Sequence, residues 1–198
     1  MTFADLDNAV VLRGSLLAHL SEEEFFDFCQ QNPDLRLERT ANHEIIAMPP
    51  AGAESSRKSG EVLMQLMLWN RQHQLGYVFE SSAGFTLPDG SVRSPDASWV
   101  PKAAYDALPE QQRLRFPPVY PVLVVEVRSP SDGLALLRRK MESYLANGVA
   151  VGFLLDPSTE TATVYRHGQE PEDIHGFDAT LSAEPALPGF VLDLRPLR

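Results

Sequence analysis

The stretch Pro121-Val-Leu-Val-Val-Glu-Val-Arg-Ser-Pro-Ser-Asp132 poses the problem that the rest of the chain has to solve. Its valines and leucine read as a buried strand, closed by a Ser-Pro-Ser turn signal. Glu126 interrupts that apolar run. An ionised carboxylate moved from water into an apolar interior costs several kcal/mol unless a cation, a metal or a set of hydrogen bonds meets it. A purely structural partner such as Arg128 or Arg138 is one answer, and a functional site is the other. Arg128 stands two residues on, so an extended strand would send its side chain to the same face as Glu126.

Working outward, a helix is expected from about Asp132 to Asn147, with Gly148 beyond its end. Val151-Gly-Phe-Leu-Leu155 reads as a second buried strand, turned by Asp156-Pro157 into a third at Thr161 to Tyr165. The strand–helix–strand order implies a parallel pair. Within the helix, Lys140 and Tyr144 lie four residues apart and share a face, which could bring Lys140 over the sheet edge toward Glu126. The run Arg138-Arg139-Lys140 reads equally well as a solvated basic face.

Upstream, Ser21-Glu-Glu-Glu24 is a capping box that opens a short helix over roughly 21–31. Leu35 to Arg39 and Glu44 to Met48 read as two short strands around a polar turn. The apolar spacing of Val62, Leu63, Leu66, Met67 and Trp69 predicts a long helix over about 55–74, with Gly76 as its stop. Strands are expected at Tyr77–Glu80, Gly84–Leu87 and Ala97–Val100, most simply as a meander, and a helical or irregular stretch around Tyr105 to Phe116. Asp96 follows Pro95 at the entrance to strand 97–100, either as a turn residue or as a second carboxylate for a site. The expected fold is α/β of mixed α+β character: one domain over 1–198, with residues 1–34 as an N-terminal extension and 35–194 as a core of mixed sheet flanked by helices.

Composition narrows the function. The 198 residues are 43% hydrophobic, enough for a real core, and carry a formal charge of -10. That charge argues against a broad basic surface for nucleic acid, since phosphate neutralisation dominates nonspecific affinity. It leaves room for a small acidic metal centre. Cys29 is the single cysteine, and the five histidines show no ligand spacing, so a cysteine or histidine zinc site is not expected. Phosphate loops of the GxGxxG or GxxxxGK type and a GxSxG elbow are absent from the sequence. The acidic opening residues make a poor signal peptide and no apolar run approaches a bilayer span, so a soluble cytoplasmic protein without membrane contact is expected.

Taken in order, the strings ESSAGFTLPDGSVRSPDASWV (80–100), PVLVVEVRSPSD (121–132), KMESY (140–144), NGV (147–149), GFLLDP (152–157) and LPGFVLDL (187–194) resemble the Uma2 family of endonucleases, a branch of the PD-(D/E)xK restriction-endonuclease-like superfamily. The resemblance runs from about Leu35 to Leu194. It implies that Pro95-Asp96 is the PD of the motif, that Glu126 is its second acid, and that the two hold Mg2+ or Mn2+. The superfamily lysine normally stands two residues after that acid, where this chain has Arg128; the family displaces it to the following helix, which points to Lys140. Glu38 matches a further acid of the metal site, and Arg128, Ser129, Asp132 and Tyr144 are expected in support.

The implied chemistry suits those residue types. A divalent ion held by carboxylates can polarise a phosphodiester and lower the pKa of water. Lysine can orient that water, offset transition-state charge or, with its pKa lowered by burial, act as a base, whereas arginine keeps its proton. DNA is the expected substrate and a homodimer the expected assembly. Two other functions compete: a catalytically silent binding or assembly module on the same fold, and a hydrolase of a small phosphorylated substrate.

Overall fold

The computed structural model describes residues 10–198; the acidic opening residues 1–9, part of the stretch judged a poor signal peptide, lie outside the described residues. The order of elements is β1 (Val10–Leu12), α1 (Glu22–Gln31), β2 (Arg36–Arg39), β3 (Ile45–Met48), α2 (Ala53–His73), β4 (Gly76–Glu80), β5 (Phe85–Thr86), β6 (Val92–Arg93), β7 (Ala97–Pro101), α3 (Lys102–Asp106), α4 (Glu110–Arg113), β8 (Leu123–Val127), α5 (Leu134–Ala146), β9 (Val151–Asp156), β10 (Thr161–Arg166), β11 (Glu172–His175), β12 (Thr180–Ser182) and β13 (Val191–Asp193). Two sheets hold all the strands but β12 and β13, which form a separate antiparallel pair. A large mixed sheet runs β11-β10-β9-β8-β7-β4, and a smaller antiparallel one runs β1-β3-β2-β6-β5. β8 and β9 are parallel, joined through α5, while β7 pairs antiparallel on the other side of β8.

The large sheet is covered on both faces, and the period-2 alternation of β8 distributes its residues between them. Leu123, Val125 and Val127 enter a core shared with Val62, Leu66 and Trp69 of α2. Val124 faces the other way, into a core with Met141 and Tyr144 of α5. Glu126 follows Val124 on that second face, so it meets α5. Being buried on both sides is why the strand reads as a continuous apolar run rather than an alternating one.

Helix boundaries follow local signals closely. Ser21 caps α1 with both bonds of the capping box formed: Glu24 N–H donates to Ser21 Oγ, and Ser21 N–H donates to Glu24 Oε2. α2 spans Ala53–His73, close to the expected 55–74, but Gly76 is not what ends it. It stops at Gln74, which adopts a left-handed φ of 55°, and Gly76 is already in β4. The glycine is needed there for another reason: a Cβ at Gly76 would lie 2.3 Å from the Val100 carbonyl oxygen and 2.4 Å from the Trp99 ring.

The expected meander does not form. β4 pairs directly with β7, whereas β5 leaves the large sheet to pair with β6 and extend the small one. The Glu80–Ala83 turn redirects the chain, and Thr86 N–H is satisfied by the Pro117 carbonyl rather than by a neighbouring strand of the large sheet. This excursion places Arg93 beside the β2–β3 hairpin and Asp96 at the start of β7. Two short helices, α3 and α4, occupy the irregular stretch.

The two kinds of glycine in and after α2 give a paired test. Gly76→Ala should cost at least about 1–3 kcal/mol, because neither the Val100 backbone nor the buried indole can retreat cheaply. Gly60→Ala, in an exposed part of α2 with open space around the new methyl, should instead stabilise by about 0.5–1 kcal/mol. Urea denaturation of both variants checks the signs, and a neutral Gly76→Ala would refute the close approach.

Candidate active site

Three carboxylates and two cations converge where the two sheets meet α5. Glu38 comes from β2 of the small sheet, Glu126 from β8 of the large one, and Asp96 from the residue before β7. Arg93 comes from β6 and Lys140 from α5. Lys140 lies four residues before Tyr144, on the helix face that also carries Met141 inward, so the amphipathic packing of α5 carries its ammonium over the sheet. Its Nζ is 2.8 Å from Glu126 Oε1 and 2.9 Å from Glu38 Oε1. Glu38 is 2% exposed and Glu126 5%.

The remaining bonds fix each group. Tyr144 Oη donates to Glu126 Oε1 at 2.9 Å. Glu38 receives the Ser94 N–H on Oε1 at 3.0 Å and Arg93 Nη1 on Oε2 at 3.0 Å. Asp96 Oδ2 accepts the Val127 N–H at 2.8 Å, which ties the entrance of β7 to the end of β8. Among the described residues, Asp96 Oδ1 and Glu126 Oε2 receive no protein hydrogen bond.

The charges respond to this crowding. Burial drives Glu126 toward its neutral form; Lys140 pulls the other way, but the Asp96 and Glu38 carboxylates reinforce the rise, and the group is pushed up to about 7. Burial also pushes Asp96 up, against the Val127 N–H and the fields of Lys140 and Arg36. Glu38 is buried too, yet Lys140 and Arg93 overcome the desolvation and hold it well below the usual carboxylate range. For Lys140, desolvation favours the neutral amine, but two carboxylates within 3 Å outweigh it and raise its pKa. The lysine is therefore an ammonium, and a role as a base through a lowered pKa does not fit its surroundings.

Arg128 is not where period-2 spacing would put it. β8 ends at Val127, and beyond that point the guanidinium turns to Asp156 Oδ2 at 2.6 Å and to the Asp132 carbonyl at 2.9 Å. Arg138 pairs with Asp173 on the surface at 3.6 Å. Neither arginine reaches Glu126. Ser129 and Asp132 build the loop that follows β8, with Ser129 N–H donating to Asp132 Oδ2 at 2.8 Å, and both line the cavity in front of the carboxylates. Arg93, which no reading of the residues assigned a role, is the missing cation. Its signal lay in the Arg93-Ser-Pro-Asp96 string, but only the pairing of Arg39 with Val92 brings it alongside Glu38.

The donor set fits a hard divalent ion held by few protein ligands. Three carboxylates, Glu38 and Glu126 buried and Asp96 half-buried, face two cations, neither of which bonds Asp96; two carboxylate oxygens on neighbouring groups lack a protein donor, and burial pushes both of those carboxyl groups toward protonation. Such an ion typically takes one or two carboxylates together with waters and substrate phosphate oxygens. Glu38 stands apart, because both of its oxygens are already engaged by protein donors. Accordingly, no cluster of three or more Asp, Glu, His or Cys side chains converges on one ion position among the described residues.

A mixed sheet with helices on both faces and a carboxylate-lysine cluster at its edge defines a restriction-endonuclease-like fold. The chain belongs to the Uma2 family: the family model, described as "Putative restriction endonuclease", matches residues 22–195. Among solved structures it is similar to "a putative nuclease belonging to DUF820" from Anabaena variabilis ATCC 29413, with a TM-score of 0.74 and 20% identity over 90% of this chain and 97% of that one. A search of curated proteins returns no match. Among the described residues, no helix is long and apolar enough to cross a membrane.

The ion-pair network is testable by a double-mutant cycle. Lys140→Ala strands two buried carboxylates and should cost about 3–5 kcal/mol of unfolding free energy. Adding Glu126→Gln should return a large part of that loss, giving a coupling energy of at least about 1 kcal/mol. Additive losses in guanidinium titrations would show that Lys140 and Glu126 do not share their charge.

Proposed function

We propose that the chain is a metal-dependent endonuclease that hydrolyses DNA phosphodiester bonds. The observation that carries this reading is the pair of under-neutralised carboxylates, Asp96 and Glu126, beside an ammonium fixed at 2.8 Å from one of them. Membership of a family described as restriction endonucleases supports DNA as the substrate. Asp96 and Glu126 would hold Mg2+ or Mn2+, which when bound supplies Lewis-acid polarisation of the phosphodiester and a lowered pKa for water.

The chain's own residues do the rest. Lys140, permanently charged, contributes a fixed positive field for the negative charge that grows on the phosphate in the transition state, and its ties to Glu38 and Glu126 spare the reorganisation that solvent would need. Tyr144 orients Glu126 from below. Glu38 and Arg93 position Lys140 from the small sheet. In this reading the attacking group is water.

One feature favours a second reading. Lys140 already neutralises much of the charge on Glu38 and Glu126, and a centre balanced in that way suits a binding or assembly module without turnover. Calorimetric titration with Mn2+ separates the two, because the module needs no ion.

Supercoiled plasmid incubated with Mg2+ or Mn2+ at low salt should be nicked by the intact protein. Asp96→Asn, Glu126→Gln and Lys140→Met should each lower the rate by at least about 100-fold, while Arg138→Ala, a surface change, should leave it within a few-fold. Nicking retained in the three site variants would refute the assignment.

A further inference from the structure

The cavity in front of the carboxylates has a volume of about 530 Å³. That is the size range that encloses one drug-sized ligand, comparable to a single nucleotide and far smaller than a turn of duplex. Its far wall is the half-buried face of the small sheet that points away from α1. Alternation along β3 sends Ile45 and Ala47 into the core under α1, and leaves Ile46 and Met48 lining the cavity. Their partners across β2 are Glu38 and Arg36, by the register Glu38–Ile46 and Arg36–Met48. The wall facing the catalytic edge is therefore an aliphatic platform with a guanidinium beside it, continued by Pro49 and, from α5, by Leu136.

A duplex has no use for such a wall. Its bases are stacked inside, and what it offers a metal site is sugar and phosphate, which call for a basic groove; this chain has a net charge of -10. An apolar surface next to the scissile position gains free energy only from an apolar group that leaves water, and an unstacked base is such a group. The cations at hand suit the adjoining phosphates. Arg36 and Arg139 line the cavity and have no carboxylate partner within salt-bridge distance among the described residues, and the buried Nε of Arg93, also at the cavity, has no acceptor there.

We infer that the cavity takes an unpaired nucleotide: the substrate is single-stranded DNA, or a strand locally opened, with one base against Ile46 and Met48 and its phosphate between Arg36 and the carboxylate pair. The inference rests on the endonuclease reading and adds the strand state to it.

Three fluorescein-labelled probes test it with the full chain in Ca2+: a single-stranded 20-mer, the blunt duplex of the same sequence, and the single strand carrying consecutive abasic positions. The normal single strand should bind about tenfold more tightly than either of the others. The Ile46→Ser/Met48→Ser variant should lose that preference while still hydrolysing bis(p-nitrophenyl) phosphate with Mn2+, which shows that the fold and the centre survive. Equal or tighter binding of the duplex, or an abasic strand bound as well as the normal one, would overturn the inference. A wild-type chain that prefers the single strand but hydrolyses neither the strand nor the small phosphodiester would overturn the endonuclease reading and leave the nucleotide cavity standing.

Discussion

One ammonium holds two sheets together at the site. Lys140 reaches from α5 to a carboxylate on each, Glu126 on β8 and Glu38 on β2, at 2.8 and 2.9 Å. Glu126 depends on that ammonium most, since it is nearly excluded from water and a buried lone carboxylate costs several kcal/mol, whereas Glu38 also has Arg93 and the Ser94 N–H. The same contact fixes the orientation of the small sheet against the large one, and the cavity lies between them. Under the proposed function, the charge that would serve catalysis is also a structural tie.

The carboxylates are only partly neutralised by that tie. Glu38 is fully engaged, by Arg93, Ser94 and Lys140, and stays ionised. Among the described residues, Glu126 and Asp96 each keep one oxygen without a protein donor; burial pushes both toward protonation, reinforced at Glu126 by Asp96 and Glu38 and at Asp96 by Asp132. A centre designed solely for packing would replace such groups with apolar residues of similar size, often at no loss of stability. Their retention is understandable if a cation and a phosphate complete the set.

The large sheet was legible in the sequence because its signals are local. The apolar run at 121–127, the helical spacing after it and the run at 151–155 together imply a parallel pair, and the capping box at Ser21 marked the start of α1 to within a residue. Of the small sheet, the β2–β3 hairpin was legible, but the pairing that completes the sheet was not. β5 and β6 have two residues each, and their pairing depends on a turn at Glu80–Ala83 that no periodicity announces. The site divides in the same way. Asp96, Glu126 and Lys140 stood out through the resemblance of their strings to a family, and Lys140 through its spacing from Tyr144. Arg93 did not, because its proximity to Glu38 follows from a long-range register rather than from anything near it in the chain. Arg128 misled because period-2 reasoning was carried one residue past the end of β8, where an ion pair with Asp156 takes over.

The most direct test of the account is the position of the ion itself. Crystals of the protein soaked in Mn2+ with a single-stranded oligonucleotide, measured at an energy where manganese scatters anomalously, should show a peak within coordination distance of both Asp96 and Glu126, with Lys140 still paired to Glu38. A peak that avoids both carboxylates, or no peak at millimolar Mn2+ while Lys140 keeps both of its partners, would contradict the claim that this cluster is a metal centre.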